Sequence, residues 1–191
     1  MKKILYLIIT ILLFTNCKKE RGKIELDFSP EMKAKLEETK KLLISNEKES
    51  YEISYGSKTP EEAVQKFLRK TINEPEVSKN PYIFTQKENL EVQYPNVYGS
   101  GTSLDVTPIE DYQYLVEKLT RIGYEKIYTK VKPLKNNIKF EIVFQKPRVF
   151  KKLIGLKPYV IVKYGSKSIE IDEIKTVFKV GNLYKIGVIA P

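Results

Sequence analysis

The spacing of hydrophobic positions changes along the chain, from a helical period in its first two thirds to a stranded period in the last third. Ser29-Pro30-Glu31 opens a helix with a capping serine, a proline at the first position and an acid in the first turn. Met32, Leu36, Thr39 and Leu43 form a narrow stripe along it, and Glu31/Lys35 and Glu37/Lys41 are favourable i,i+4 pairs. So thin a stripe predicts weak packing or a semi-rigid stalk. Thr59-Pro60-Glu61-Glu62 is a capping box with proline at the first helical position, followed on one face by Ala63, Val64, Phe67, Leu68, Thr71 and Ile72. Leu90, Val92 and Tyr94 alternate as a short strand ending at Pro95. Thr107-Pro108-Ile109-Glu110 repeats the proline box, and Ile109, Tyr112, Leu115, Val116, Leu119 and Ile122 make the best amphipathic stripe. Gly123 stands where a glycine ends a helix.

Beyond Gly123 the period becomes two. Ile127, Thr129 and Val131 share a face, and Ile138, Phe140, Ile142 and Phe144 alternate with Lys139, Glu141, Val143 and Gln145. Tyr159 to Tyr164 reads as a third strand and Ser168 to Val180 as a fourth, bent near Asp172-Glu173. Gly181-Asn182 is a two-residue hairpin turn into the last strand. Helices followed by antiparallel strands imply an α+β fold, with N-terminal helices packed on a curved antiparallel sheet.

The remaining apolar run, Ile4 to Phe14, follows Lys2 and Lys3 and precedes Cys17, Lys18 and Lys19. It is shorter than the roughly 20 residues a helix needs to cross a bilayer, and it reads as a signal segment. Leu13-Phe14-Thr15-Asn16-Cys17 resembles the lipobox of bacterial lipoproteins. The resemblance implies a signal peptide over residues 1–16 and acylation of Cys17. Residues 17–56 would then be the lipidated N-terminus, tether and charged helix, and residues 57–191 the α+β domain. It also implies that the lipid bilayer is a partner and the bacterial cell envelope, periplasmic face or surface, the location. The alternatives are an uncleaved anchor or an ordinary signal peptide whose cysteine is incidental.

Two segments resemble the NTF2-like superfamily, a cone-shaped α+β fold. These are the opening helix after Lys58-Thr59-Pro60-Glu61-Glu62 and the closing hairpin Val180-Gly181-Asn182-Leu183-Tyr184-Lys185-Ile186. The resemblance implies a mouth between sheet and helices that can hold an apolar ligand, with Asp111, Tyr112, Phe140, Tyr159 and Asp172 as candidate pocket residues. The alternative is another helix-on-sheet fold without a pocket.

Composition removes chemistry. The 191 residues contain no histidine and one cysteine, so the commonest general base and metal ligand are missing. No catalytic residue, metal site or cofactor is expected. Gly99-Ser100-Gly101-Thr102-Ser103 invites a phosphate-loop reading, but lacks GxxxxGK[ST] and opens no helix directly, so a plain loop is expected. Charge restores one candidate. The net charge is +10, and residues 124–164 alone hold eleven basic and two acidic groups. Lys146, Arg148, Lys151, Lys152 and Lys157 are candidate anion-binding residues, for anionic lipid or polysaccharide; an exported chain is not expected to meet nucleic acid. The bland alternative is a solvated lysine-rich sheet face. The function expected is therefore a membrane-anchored, non-enzymatic binding or structural module. The alternative is a small-molecule carrier or enzyme using the cone.

Overall fold

A computed structural model of the chain describes residues 28–134 and 138–191. Helix α1 (Pro30–Ser45) is capped by Ser29, whose hydroxyl accepts from the Met32 N–H at 3.2 Å. Only Thr39 and Leu43 of its stripe are buried. Helix α2 (Pro60–Asn73) starts as expected. Thr59 Oγ1 accepts from the Glu62 N–H, and Glu62 reaches back to the Lys58 N–H. Ala63, Val64, Phe67, Leu68 and Thr71 are buried.

The next helix departs from the expected strand. Thr85 and Glu88 cap each other's backbone, and one helix, α3, runs over residues 86–97. Its middle, Asn89–Gln93, is a π-helical turn in which the Tyr94 N–H donates to the Asn89 carbonyl. The wide turn sits just ahead of Pro95, which has no N–H to offer the preceding turn.

Helix α4 (Ile109–Val131) does not stop at Gly123. Tyr124, Ile127 and Val131 continue its buried face. A Cβ at Gly123 would lie 2.7 Å from Ile189 Cγ2 and 3.0 Å from the Ala190 carbonyl carbon, so this glycine permits close helix–strand approach rather than termination. The expected Thr107 cap is also absent: Thr39 Oγ1, from α1, accepts from the Ile109 N–H at 2.9 Å.

The strands are β1 (Lys139–Phe144), β2 (Arg148–Phe150), β3 (Leu153–Leu156), β4 (Pro158–Tyr164), β5 (Lys167–Ile171), β6 (Ile174–Val180) and β7 (Leu183–Ile189). They form two antiparallel sheets, one ordered β1-β4-β5 and the other β2-β3-β6-β7. The bend at Asp172-Glu173 and the Gly181-Asn182 turn fall where the pattern placed them. The NTF2-like cone is not found. Breaks at Gln145-Lys146-Pro147, at Lys157 and at Asp172-Glu173 divide the long strands between the two sheets. Each sheet stays open, with helices packed on it, and neither curls into a cone.

The four-stranded sheet is covered on both faces. Val177 and Ile186 join the main core with Ala63, Phe67, Tyr124 and Ile127 of α2 and α4. Phe178 and Val180 join a second core with Tyr51, Ile53, Phe84, Val92 and Val97. The three-stranded sheet is covered on one face only, and β1 alternates exposed and half-buried along its length. The free edge of β7 is taken by Ser57 and by Ile83, whose neighbour Phe84 donates its N–H to the Ile186 carbonyl at 2.9 Å.

Candidate functional site

Pinning residues 82–84 to β7 leaves a gap between the 77–94 segment and α4. The gap is a cleft of about 720 Å³, within the range of small-molecule sites. Val77, Ile83, Phe84 and Val116 supply apolar wall, and Gly187 of β7 also borders it. A Cβ at Gly187 would lie 2.1 Å from Phe178 Cδ2, so glycine is required there. Lys87, Lys118 and Arg121 supply positive charge against Glu117. Gln86 Nε2 donates to Glu117 Oε2 at 3.2 Å and so ties the start of α3 to α4.

Two residues at the ends of the π turn of α3, Asn89 and Tyr94, border the cleft. Asn89 Oδ1 is sealed from solvent and has no hydrogen bond. Tyr94 is 2 % exposed, and its ring packs edge-on to Tyr112 at 5.2 Å. No hydrogen bond joins its hydroxyl to another described residue. Burial, then the neighbouring Tyr112, pushes the Tyr94 phenol far above its ordinary range, so it stays a neutral donor. The π turn sets both residues on the cleft side: it makes Asn89 and Tyr94 the two ends of one i→i+5 hydrogen bond.

Beside them lies a closed ion pair. Lys185 of β7 is 2 % exposed and donates to both oxygens of buried Glu88, at 2.9 and 2.8 Å. Glu88 also accepts from the Thr85 N–H at 2.8 Å. Each charge is neutralised by the other, and the pair clamps the start of α3 to the sheet.

No family model, no curated protein and no solved structure matches the chain. The recognition of a lipoprotein carrying an NTF2-like domain is corrected by its domain: both sheets are open and neither forms the cone. Leu13 to Cys17, which carried the lipobox resemblance, lie outside the described residues. Among the described residues no helix is long and apolar enough to cross a membrane.

The five candidate pocket residues are not brought together, and none lines the cleft. Asp111 is exposed in the first turn of α4. Tyr112 packs on Tyr94. Phe140 lies under the Arg69 guanidinium at 5.1 Å, and exposed Tyr159 faces Val143 across the β1–β4 ladder. Asp172 pairs with Lys130 at 3.2 Å, which holds its carboxyl below the ordinary value.

The basic residues of the 146–157 hairpin are exposed, and part of their charge is answered within the chain. Lys151 pairs with Glu47 and donates to the Pro95 carbonyl at 2.8 Å; Lys152 lies 3.6 Å from Glu49. Arg148 sits over Phe150 at 5.1 Å. Among the described residues Lys146 and Lys157 have no ion pair. The surface thus carries exposed lysines, several of them in salt bridges. The glycine loop is filled as well: the Asp105 carboxylate accepts from the N–H groups of Gly99, Gly101 and Thr102 at 2.7, 2.8 and 3.2 Å. Gly99 and Gly101 adopt φ of 85° and 74°, which lets both amides face that carboxylate. Among the described residues no group of three or more acidic or cysteine side chains is placed to share a metal ion.

Proposed function

We propose that the domain is a non-catalytic binding module for a small amphipathic molecule, taken up in the cleft between residues 77–94 and α4. The single observation that carries the reading is the cleft itself, about 720 Å³, in which Val77, Ile83, Phe84 and Val116 form an apolar wall beside Lys118 and Arg121. Lys87 of the lining lies 3.9 Å from Glu91, while Lys118 and Arg121 stand against the single acid Glu117, which favours a negatively charged ligand. The basic hairpin is the weaker candidate, because Lys151 and Lys152 already face Glu47 and Glu49.

The N-terminal segment serves in this proposal as an export address, with lipid attached at Cys17 holding the domain at the bacterial envelope. What supports it is the order of Lys2-Lys3, the apolar run and the lone cysteine. Labelled fatty acid should enter the wild type and not Cys17→Ser; equal label in both, or in neither, ends this part.

Titration of the full chain with anilinonaphthalene sulfonate, an apolar anionic fluorophore, tests the cleft. Saturable enhancement that Val116→Trp removes is expected. No enhancement, or enhancement untouched by Val116→Trp while folding is intact, contradicts it.

A further inference from the structure

A sheet edge without a partner invites another strand, and this fold covers its longer edges except one. β7 is taken by Ser57 and by residues 83 and 84. On β5 the Glu170 carbonyl accepts from Lys130 of α4 at 3.1 Å. β2 has only three residues. β1 has six and pairs with β4 in unbroken register, and no described group hydrogen-bonds its other side.

The ladder fixes which residues of β1 face that open side. The Gln145 N–H donates to the Lys157 carbonyl at 3.0 Å, so these two form a hydrogen-bonded pair. Counting back by two, Val143, Glu141 and Lys139 also turn their backbone groups to β4. Phe140, Ile142 and Phe144 therefore turn theirs outward. Their side chains are half-buried against the main core, and the charged residues of β1 lie on the opposite face. Edge strands are commonly guarded by an inward-pointing charge, a proline or a bulge. β1 has none of these.

We infer that β1 is a homodimer interface, in which two copies of the chain pair β1 with β1, antiparallel, about a two-fold axis at Ile142. The strand is self-complementary about that residue. Phe140 comes opposite the partner's Phe144, and Ile142 opposite the partner's Ile142. Every outward N–H then meets an outward C=O, and two three-stranded sheets become one of six strands. The half-buried Phe140, Ile142 and Phe144 gain apolar neighbours across the axis. On the solvent face Glu141 lies opposite the partner's Val143, and Lys139 opposite the partner's Gln145, so no like charges are opposed. An axis at Glu141 would set two carboxylates against each other.

Residue-resolved amide hydrogen exchange of the full chain, from dilute to concentrated solution, tests the inference. Exchange at Phe140, Ile142 and Phe144 should slow about tenfold or more as concentration rises. Glu141 and Val143, bonded to β4, should be protected throughout and so report that β1 is folded. Ile142→Lys sets two ammonium groups opposite each other across the axis, and should abolish the slowing while Glu141 and Val143 stay protected. In a Cys17→Ser background, Ile142→Cys brings two thiols onto the axis at a Cα separation of about 5.5 Å, within disulfide range, and should give an oxidised dimer. Lys139→Cys places its thiols about 20 Å apart and should not. Fast exchange of the three amides at every concentration overturns the inference, as does slowing that Ile142→Lys leaves intact. Equal cross-linking through Ile142→Cys and Lys139→Cys overturns it too. Protection that appears only when cell extract is added assigns the edge to a foreign strand and overturns pairing with a second copy.

Discussion

The hairpin tip at Lys151-Lys152 and the wall of the cleft both crowd polar groups against α3, and they treat them in opposite ways. At the tip the polar groups of Lys151 and Lys152 have protein partners. Lys151 reaches Glu47 and the Pro95 carbonyl, and the Lys152 N–H donates to Asn96 Oδ1 at 2.9 Å. Asn96 in turn donates from Nδ2 to the Val92 carbonyl at 2.7 Å. Seven residues earlier on the same helix, Asn89 makes no such bond. The tip carries the more conspicuous charge, yet exposed lysines cost little to leave in water. The cleft carries a buried acceptor that water does not reach, and that is the costlier arrangement. Buried oxygens without partners also occur at Ser57, Gln93, Thr102 and Glu173; what sets Asn89 apart is that the residue borders the cleft.

The largest expected effect tests what holds the cleft wall. Lys185→Met leaves buried Glu88 without its partner, and should lower unfolding stability by about 3–5 kcal/mol in denaturant titration. Replacing Glu88 by Met as well should restore part of that loss, less the Thr85 cap. A single replacement costing under about 1 kcal/mol would mean that Glu88 is not isolated by the change.

The two asparagines of α3 then give the contrast in one experiment. Asn96→Leu strands the Lys152 N–H and the Val92 carbonyl, and should cost about 1–3 kcal/mol. Asn89→Leu removes an unanswered acceptor and should leave stability unchanged or raise it by about 1 kcal/mol. Equal losses at both positions would erase the distinction between tip and cleft.

The smallest effect concerns pH. The Lys130 hydrogen bond lowers the Asp172 pKa from its ordinary 3.8. Its stabilisation is therefore fully present above that value and fades as pH falls through the lowered one. Burial lowers the Lys130 pKa, but the hydrogen bonds it donates to Glu173 and Asp172 outweigh it and raise the group above its ordinary 10.5. That contribution is present below 10.5 and fades as pH rises past the raised value. Asp172 is largely exposed, so Asp172→Asn should flatten the acid limb of a stability profile only slightly, and less at high salt.

Much of the frame was legible in residue order. Thr59-Pro60 and the stripe after it located α2, and Gly181-Asn182 located the last hairpin. Two misreadings have local causes. Leu90, Val92 and Tyr94 alternate like a strand, but the box Thr85-Gln86-Lys87-Glu88 was in view and announces a helix. Gly123 reads as a stop because a glycine's packing role depends on Ile189 and Ala190, more than sixty residues away. The cleft left no periodic trace. Its lining comes from an irregular segment, a π turn, a helix face and one residue of β7, and only folding brings these together. The lysine block was easy to see, and its partners Glu47 and Glu49 were not, for the same reason.

The account's central claim is that a ligand is taken in the cleft and not at the basic hairpin. Amide chemical-shift mapping of the full chain during titration with decanoate tests it most directly. The account predicts perturbations clustered at residues 83–94 and 113–121 and at Gly187, with residues 146–157 unmoved. Perturbations confined to residues 146–157 would contradict it.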